Sequence, residues 1–360
     1  MRVGLIGATV TRGWAMAAHI PALKGLAGFE LAAIATSRRE TADAAAKAYG
    51  VPLAFDDYHE MVNHPDLDII TVSVKVPMHF DMVTAALNAG KHVYCEWPLG
   101  RDSVQAERMA ALARKKGLRC IVGLQSRGSP VVNRVKDLVA DGYVGRVLGT
   151  TMVTTAPTWG GTTDAASAYL YNYSNGATLL SIPGGHSLDA LCYCLGEFSQ
   201  ISATVKTQRK EALISTTGKR VGMTAPDQVA LSGVLKGGAV VSFHARGGMT
   251  RGTPFLWEIH GDKGDLAVTG DATIQYAELK LRGGQEGEPL ADLPIPDSYR
   301  RVPKGIPAMR PYNVAQLYVE LGEAIRAGRN PSPGFYEAVV RHHMLEVIRK
   351  SSDTGERQQP

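Results

Sequence analysis

The feature that most constrains the fold is the alternation of short apolar runs with helical patterns in the first third of the chain. Strand-like runs occupy residues 3–6, 29–35, 69–74, 92–95 and 119–124, and helical patterns lie between them at residues 15–26, 41–49, 80–89 and 103–116. Strands separated by helices form right-handed βαβ units and a parallel sheet. The sequence therefore predicts an α/β fold whose first domain, residues 1–125, is a doubly wound parallel sheet.

The pattern changes after about residue 125. Strand-like runs then dominate, at residues 147–154, 201–207, 228–235, 240–245, 255–261, 265–270 and 273–281, with glycine turns at 236–238 and 261–264. This pattern favours a large, open, mainly antiparallel sheet with one free face. We expect an α+β domain over residues 126–350 for substrate binding and oligomerisation. The late helical patterns at 314–327 and 336–350 either belong to it or pack back on the first domain, and residues 351–360 form a flexible tail.

Length, charge and cysteine spacing exclude several classes of protein. The 360 residues exceed the roughly 250 to 300 that one core usually supports, which agrees with two domains. No run approaches the roughly 20 apolar residues of a membrane helix, and the N-terminus lacks a signal-peptide pattern, so we expect a cytoplasmic protein without a membrane partner. The net charge of +5 is spread along the chain, so no nucleic-acid partner is expected. The four cysteines lack zinc-site spacing, and no metal is expected.

A glycine-containing loop follows the first strand directly and leads into a helix. Such a loop lets a pyrophosphate approach the backbone at a helix N-terminus. The spacing departs from G-x-G-x-x-G, because Thr9 stands at the second glycine position and the last glycine arrives one residue late at Gly13. A tight turn that binds nothing remains the alternative. The candidate cofactor contacts in this loop are Gly7, Thr9, Val10, Gly13 and Trp14.

The end of the second strand carries no acidic residue. An NAD site usually places Asp or Glu there, whereas an NADP site uses arginine and small hydroxyl residues for the 2′-phosphate. The sequence Ala-Thr-Ser-Arg-Arg over residues 35–39 therefore favours NADP, with Ser37 and Arg38 as contacts, while NAD stays possible. The alternative is that the two arginines are only the first, solvent-exposed residues of a helix.

Three segments together resemble the glucose-fructose oxidoreductase, inositol dehydrogenase and MocA (Gfo/Idh/MocA) family. They are VKVPMH at 74–79, AGKHVYCEWPL at 89–99 and GGHSLD at 184–189. The resemblance implies a Rossmann domain, an α/β domain with an open antiparallel sheet, a nicotinamide cofactor and a sugar or polyol substrate. It also places Glu96 beside the nicotinamide ribose. Residues 7–14, 95–99, 123–130 and 259–266 resemble a branch that includes a fungal corepressor of the galactose pathway, which binds a dinucleotide as a regulator.

The chain departs from the enzymatic pattern of that family at two positions. Trp97 stands where the resemblance implies a lysine, and Ile182 stands where it implies an aspartate four residues before the catalytic histidine. His186 remains. Removing one positioned acid or base typically costs about 10² to 10⁴ in rate, so these losses weaken the expected chemistry.

The remaining candidate residues are chosen by chemistry and position. His186 can move a proton near neutral pH, and Lys75 and Tyr173 are the candidates to assist it as catalytic residues. Arg127 either clamps a substrate anion or ties the two domains together, and the tyrosine cluster suits stacking on a sugar. The other cofactor candidates are Val76, His79, Glu96, Trp97 and Gln125, and the substrate candidates are Trp97, Arg127, Trp159, Tyr169, Tyr171, His186 and Asp189.

Two functions are consistent with the sequence. The favoured prediction is an NAD(P)-dependent oxidoreductase acting on a sugar, a sugar derivative or another polyhydroxylated small molecule. The alternative is a cofactor-binding, catalytically weak regulator that contacts a protein. A homodimer or homotetramer through the open sheet is expected in either case, and the substrate and the reaction direction stay open.

Overall fold

The structure is a computed structural model that describes residues 1–360, and its first sheet has six parallel strands. They are β1 (Arg2–Ile6), β2 (Glu30–Ala35), β3 (Leu53–Phe55), β4 (Ile69–Val72), β5 (His92–Glu96) and β6 (Cys120–Gly123). Their order is β3-β2-β1-β4-β5-β6, so the winding direction reverses between β1 and β4. Ligands of doubly wound sheets bind at the carboxyl ends of the strands beside such a reversal.

Helices connect these strands as the alternating pattern predicts. A π-helical turn, Ala15–His19, runs into α1 (Ile20–Gly25), followed by α2 (Arg39–Tyr49), α3 (Tyr58–Val62), α4 (His79–Asn88) and α5 (Ser103–Lys115). The N-cap carboxylate of Asp102 accepts from the backbone N–H of Gln105 at 2.8 Å, which satisfies one open donor at the start of α5. Pro21 near the start of α1 has no N–H to donate, and the wider π-helical turn lies immediately before it.

The second sheet has eight strands and a small three-stranded neighbour. In chain order the strands are β7 (Val147–Ala156), β8 (Thr162–Thr163), β9 (Phe198–Lys206), β10 (Glu211–Ile214), β11 (Arg220–Gly222), β12 (Gln228–Leu235), β13 (Val240–Gly247), β14 (Phe255–Gly261), β15 (Gly264–Gly270), β16 (Leu279–Gln285) and β17 (Ala291–Asp292). The large sheet has the order β17-β16-β15-β14-β7-β13-β12-β9 and is antiparallel except between β7 and β13. The predicted fold class, a Rossmann sheet with a mainly antiparallel second sheet, is confirmed.

The two faces of the large sheet differ in character. One face carries buried apolar side chains such as Leu231, Phe243 and Trp257. The helices α6 (Pro130–Ala140) and α7 (Gly185–Leu195) contact each other. The π-helical turn Leu180–Gly184, which leads into α7, contacts the strands β7 and β13 of the sheet. On the other face Ser232 and Ser242 are exposed. The predicted free face is therefore present.

The contacts divide the chain into two compact units. The first contains residues 1–128 and 300–340, and the second contains residues 129–299 and 341–360. In the first unit α8 (Arg310–Ala327) packs in one apolar cluster with residues of β1, β4, β5 and α1. Residues 300–340 lie with this unit, and they include the helical pattern at 314–327 for which the sequence left both placements open. The last helix, α9 (Phe335–Thr354), begins in the first unit and ends in the second. The division into domains of residues 1–125 and 126–350 stays a prediction.

Some predicted elements differ from the structure. Residues 273–277 form a turn, and the strand predicted at 273–281 begins only at Leu279. The short elements β3 and α3 and the small sheet were not predicted. The expected flexible tail is bonded instead, since α9 extends to Thr354 and the backbone of Gln358 exchanges two hydrogen bonds with Ile201 on β9. No helix has the length and apolar character needed to cross a bilayer.

Candidate functional site

The glycine loop after β1 depends on a glycine at position 7. Gly7 has a φ of +98°, and a Cβ built there would lie 2.3 Å from the carbonyl oxygen of Ser73. The loop closes through the hydroxyl of Thr9, which donates to the carbonyl of Arg12 at 2.6 Å. The hydroxyl of Tyr49 donates to the carbonyl of Thr9 at 2.7 Å, tying the loop to α2. The backbone therefore approaches the end of β4 closely, as a dinucleotide loop requires.

The far end of this loop also has a left-handed backbone. Gly13 has a φ of +101°, but nothing lies within 4 Å of a Cβ built there. Trp14 follows it and packs against the apolar cluster of α8, while Val10 is 44% exposed. The first N–H groups of a helix have no intrahelical partner, and here they follow directly on the loop. This arrangement fits a pyrophosphate despite the altered glycine spacing.

The two arginines after β2 are in different environments. Arg39 forms an ion pair with Asp43 and donates to the carbonyl of Ala54 at 3.0 Å. Arg38 is exposed, and its side chain forms no hydrogen bond or ion pair. Ser37 beside it is exposed as well. Arg38 and Ser37 are thus available to an anion at the end of β2, whereas Arg39 is already engaged.

The loop after β4 carries three predicted residues with different exposures. Lys75 is exposed and Val76 is buried. His79 is buried, with Nδ1 at 2.9 Å from the carbonyl of Pro98 and Nε2 at 3.1 Å from the carbonyl of Val74. Burial lowers the pKa of His79, although the backbone carbonyls oppose the shift. Since both ring nitrogens face the backbone, His79 holds two loops together and has no ring nitrogen left for a direct cofactor contact.

The Glu96 carboxylate lies at the carboxyl end of β5 and is held on both oxygens. Oε2 accepts from Nε2 of Gln125 at 2.6 Å, and Oε1 lies 2.8 Å from Nε2 of His19. The Glu96 side chain is 14% exposed. A Cβ on Gly123 would lie 2.7 Å from Glu96 Oε2, so the glycine leaves room for this pair. Trp97 follows in the chain and is buried.

The predicted aromatic residues lie in a segment of turns, with Tyr169 and Tyr171 in the short helical turn Ala168–Tyr171. The indole of Trp159 is buried and donates to the carbonyl of Leu170 at 2.9 Å. Tyr171 is fully buried, and its hydroxyl donates to the carbonyl of Thr162 at 3.1 Å. Burial raises the pKa of Tyr169 and of Tyr171. Trp159 and Tyr171 therefore brace the 159–171 segment, and their contact with a substrate stays a prediction.

Two other predicted residues lie at more open positions. Tyr173 is 42% exposed, and the guanidinium of Arg349 lies 4.6 Å from its ring centroid. Arg127 lies in the turn after β6, where its Nη1 donates to the hydroxyl of Ser332 at 3.4 Å. Neither side chain is buried. Their predicted roles stay predictions.

His186 lies in the first turn of α7, directly after the π-helical turn that contains Pro183. The side chain is buried, and Nδ1 has no hydrogen-bond partner. Burial lowers the pKa of His186 to about 3, although the Asp189 carboxylate opposes the shift. The imidazole is therefore neutral at pH 7, with one buried nitrogen unsatisfied.

Asp189 lies within the fold of the second unit. Its carboxylate is fully buried, and Oδ1 lies 3.7 Å from Nε of Arg341, which also pairs with Glu197. A buried carboxylate needs such a counter-charge. The Asp189 charge is matched by Arg341 inside the protein, and the contact of Asp189 with a substrate stays a prediction.

The sequence reasoning missed a group of buried polar residues behind Glu96. His19, Thr71 and Tyr318 are each fully buried and lie in one chain of hydrogen bonds. The only signal in the sequence is a single histidine within the otherwise apolar run AMAAHI at residues 15–20. Only the folded structure shows that this histidine meets a residue 299 positions away.

Two family models match this chain, one over the part that forms the parallel sheet and one over most of the part that forms the large antiparallel sheet. Residues 1–124 match the family described as an oxidoreductase family with an NAD-binding Rossmann fold (GFO_IDH_MocA). Residues 130–270 match the Gal80p C-terminal domain.

Two curated relatives show how similar this chain is to known members. The dehydrogenase aclE of Aspergillus oryzae is 33% identical over 257 residues, covering 69% of this chain and 70% of that protein. The galactose/lactose metabolism regulatory protein GAL80 of Saccharomyces cerevisiae is 31% identical over 301 residues, covering 78% of this chain and 68% of that protein.

Solved structures agree with this assignment. A super-repressor mutant of Gal80p from Saccharomyces cerevisiae superposes with a TM-score of 0.87 at 25% identity, covering 100% of this chain and 98% of that one. Levoglucosan dehydrogenase in complex with NADH and levoglucosan has the same fold, with a TM-score of 0.87 at 21% identity and the same coverage. The chain belongs to the Gfo/Idh/MocA oxidoreductase family, with an NAD-binding Rossmann fold and a Gal80p-like C-terminal domain.

Proposed function

We propose that this protein is an NAD(P)-dependent oxidoreductase that acts on a hydroxyl group of a sugar, a sugar derivative or another polyhydroxylated small molecule. The observation that carries the proposal is His186, a buried neutral imidazole whose Nδ1 has no partner, at the family's catalytic-histidine position. A buried polar atom without a partner is costly in a folded protein and is a feature of functional sites.

The first unit supplies the residues that would hold the cofactor. The close approach of the loop backbone at Gly7 fits the pyrophosphate, and Glu96 fits a ribose hydroxyl. The exposed Ser37 and Arg38 support NADP, because a guanidinium without an internal partner can pair with the 2′-phosphate. NAD stays possible, since the related levoglucosan dehydrogenase is known in complex with NADH.

The proposed reaction needs one proton-transfer group. The bound nicotinamide supplies a hydride acceptor for the substrate carbon, and the hydroxyl proton must leave in the same reaction. The His186 imidazole takes this proton and returns it in the reverse direction. Lys75 and Tyr173 are proposed to assist by binding substrate hydroxyls.

A second candidate function is a cofactor-binding regulator with little or no turnover. Its supporting observation is the same burial of His186, because a pKa of about 3 makes the imidazolium costly to form. The buried Trp97 at the usual lysine position and Ile182 at the usual aspartate position leave no replacement in the motif. The relative GAL80 is a regulatory protein, so both classes occur among the relatives.

Cofactor titration followed by a substrate screen tests the proposal. NADPH and NADH are titrated by fluorescence, and NADP⁺ and NAD⁺ are then reduced against a panel of sugars, polyols and levoglucosan. We expect NADPH to bind at least about tenfold more tightly than NADH, with Arg38→Ala removing that preference. We also expect turnover on a polyhydroxylated substrate, reduced about 10² to 10⁴-fold in His186→Ala.

Two variants separate the candidate functions. Tight cofactor binding without turnover on any substrate, unchanged in His186→Ala, contradicts the enzyme and supports the regulator. Trp97→Lys restores the side chain of the family motif, and a rise in dehydrogenase activity would identify the missing lysine as the cause of weak turnover.

We further propose that the open face of the large sheet joins two copies of this chain. The exposed Ala230, Ser232 and Ser242 are small, so another sheet face can approach closely. The exposed Val240 adds apolar area at one end of the face.

A further inference from the structure

The Glu96 carboxylate at the end of β5 is fixed from two directions. Gln125 Nε2 donates to Oε2 at 2.6 Å, and His19 Nε2 lies 2.8 Å from Oε1. A carboxylate oxygen accepts about two hydrogen bonds, so each oxygen keeps acceptor capacity for a ligand hydroxyl. The side chain is 14% exposed, so part of it is open to a ligand while the rest is held inside the first unit.

The second ring nitrogen of His19 connects to a buried chain of hydroxyls. His19 Nδ1 lies 2.9 Å from the hydroxyl of Tyr318 on α8, and that hydroxyl lies 2.8 Å from Oγ1 of Thr71 on β4. One set of hydrogens satisfies every link: Thr71 donates to Tyr318, Tyr318 donates to Nδ1, and Nε2–H donates to Glu96. The Glu96 carboxylate can only accept, so it places the His19 proton on Nε2, and the Tyr318 hydroxyl holds the ring in this orientation through Nδ1.

Apolar and aromatic packing prevents the imidazole from finding other partners. His19 and Tyr318 are both fully buried. The ring of Tyr94 lies 5.0 Å from the His19 ring in an edge-on arrangement and 4.8 Å from the Tyr318 ring. Burial raises the pKa of Tyr318, so its hydroxyl stays protonated and able to donate. An alternative rotamer of His19 would leave buried polar atoms unpaired, which is costly.

We propose that His19 and Tyr318 are positioning residues that orient the Glu96 carboxylate toward the nicotinamide ribose. This inference rests on the proposed function, in which Glu96 contacts that ribose. Neither residue touches the cofactor, and both act through Glu96. The adenine end of the cofactor, held by the β1 and β2 loops, is independent of this hydrogen-bond chain.

Two tyrosine variants form a matched pair for the test. Tyr318→Phe removes the hydroxyl that bonds to His19, whereas Tyr94→Phe removes a hydroxyl of the same aromatic cluster that lies outside the chain of His19, Tyr318 and Thr71. Each variant is titrated with NADPH, with NADH, and with adenosine 2′,5′-bisphosphate, which lacks the nicotinamide ribose. We expect Tyr318→Phe to weaken binding of the two dinucleotides about five- to tenfold. The bisphosphate affinity should stay unchanged, and Tyr94→Phe should bind all three as the wild type does.

Variants of His19 separate positioning from packing. His19→Gln keeps an N–H that can donate to Glu96, and His19→Leu keeps only apolar volume. We expect His19→Gln to bind the dinucleotides at least about threefold more tightly than His19→Leu, with melting temperatures recorded for both. Equal affinities of these two variants, or an equal loss for the dinucleotides and the bisphosphate, would overturn the inference. Dinucleotide binding that is unchanged in Tyr318→Phe would overturn it without touching the proposed function. A wild type that binds no dinucleotide would overturn both.

Discussion

At the scale of single residues, burial controls the chemistry of His186. The side chain is 4% exposed, and the nearest charge that favours protonation, Asp189, is itself matched by Arg341. Desolvation therefore outweighs the carboxylate, and the imidazole stays neutral far below its usual pKa.

The lowered pKa of His186 predicts a specific loss of stability in acid. An unfolded histidine has a pKa of about 6.5, and the folded value is about 3. Between these values the unfolded chain binds a proton that the native protein does not, so stability falls as the pH falls below about 6.5. At pH 5 this protonation lowers the free energy of unfolding by about 2 kcal/mol relative to pH 7.

Denaturant unfolding of the wild type and His186→Gln at pH 7 and pH 5 measures this contribution. The difference in unfolding free energy between the two proteins should shift by about 2 kcal/mol in favour of the variant at pH 5. Other buried histidines such as His79 are common to both proteins and cancel in the comparison. Parallel pH dependence of the two proteins would show that His186 titrates normally.

At the scale of elements, the unit formed by β1, its loop and the following helix depends on two glycines for different reasons. Both Gly7 and Gly13 have a positive φ, but only at Gly7 would a Cβ collide with a backbone atom, the carbonyl oxygen of Ser73. Gly13 thus provides a local conformation, while Gly7 also allows two strand ends to meet.

Alanine at each position separates these two effects. Gly13→Ala should cost about 1 kcal/mol, the typical cost of a left-handed backbone. Gly7→Ala should cost about 2 to 4 kcal/mol, because the overlap adds to that strain, and it should displace the loop enough to abolish dinucleotide binding. Melting temperatures and an NADPH titration of both variants provide the measurement. Similar losses in both would mean that the close approach to Ser73 is unimportant.

Proline accompanies both π-helical turns of the chain. The turn Ala15–His19 ends two residues before Pro21 and contains His19, while the turn Leu180–Gly184 contains Pro183 and ends two residues before His186. Proline cannot donate in a helix, and a wider turn accommodates it. Each of the two buried histidines that we consider functional therefore lies in or next to an irregular turn.

At the scale of the whole molecule, the open sheet face is the surface on which we propose that two copies of this chain meet. Eight strands at their usual spacing extend about 34 Å, so a paired face can bury about 800 Å² per copy, typical of a stable interface. Light scattering should give at least twice the mass of one chain.

Ser242→Arg should disrupt this association, because Ser242 is exposed on the open face and a buried unpaired charge is costly. Thr216→Arg, on an exposed turn outside the large sheet, is the matched control and should keep the wild-type mass. A wild-type protein that is monomeric at micromolar concentration would contradict the proposed interface.

The sequence by itself determined the elements and the family. Hydrophobic periodicity fixes which face of a strand or helix is buried, so the alternation before residue 125, the strand-rich remainder and most element boundaries were predictable. The motifs at residues 74–79, 89–99 and 184–189 were sufficient for the family because they are local in the chain.

Only the tertiary structure decided which side chains meet. The contact of His19 with Tyr318 spans 299 positions, and that of Tyr318 with Thr71 spans 247, so no local pattern encodes either. The same holds for the pairing of Asp189 on α7 with Arg341 on α9. Burial and charge pairing arise from packing between distant segments, and these two quantities set what each candidate residue can do.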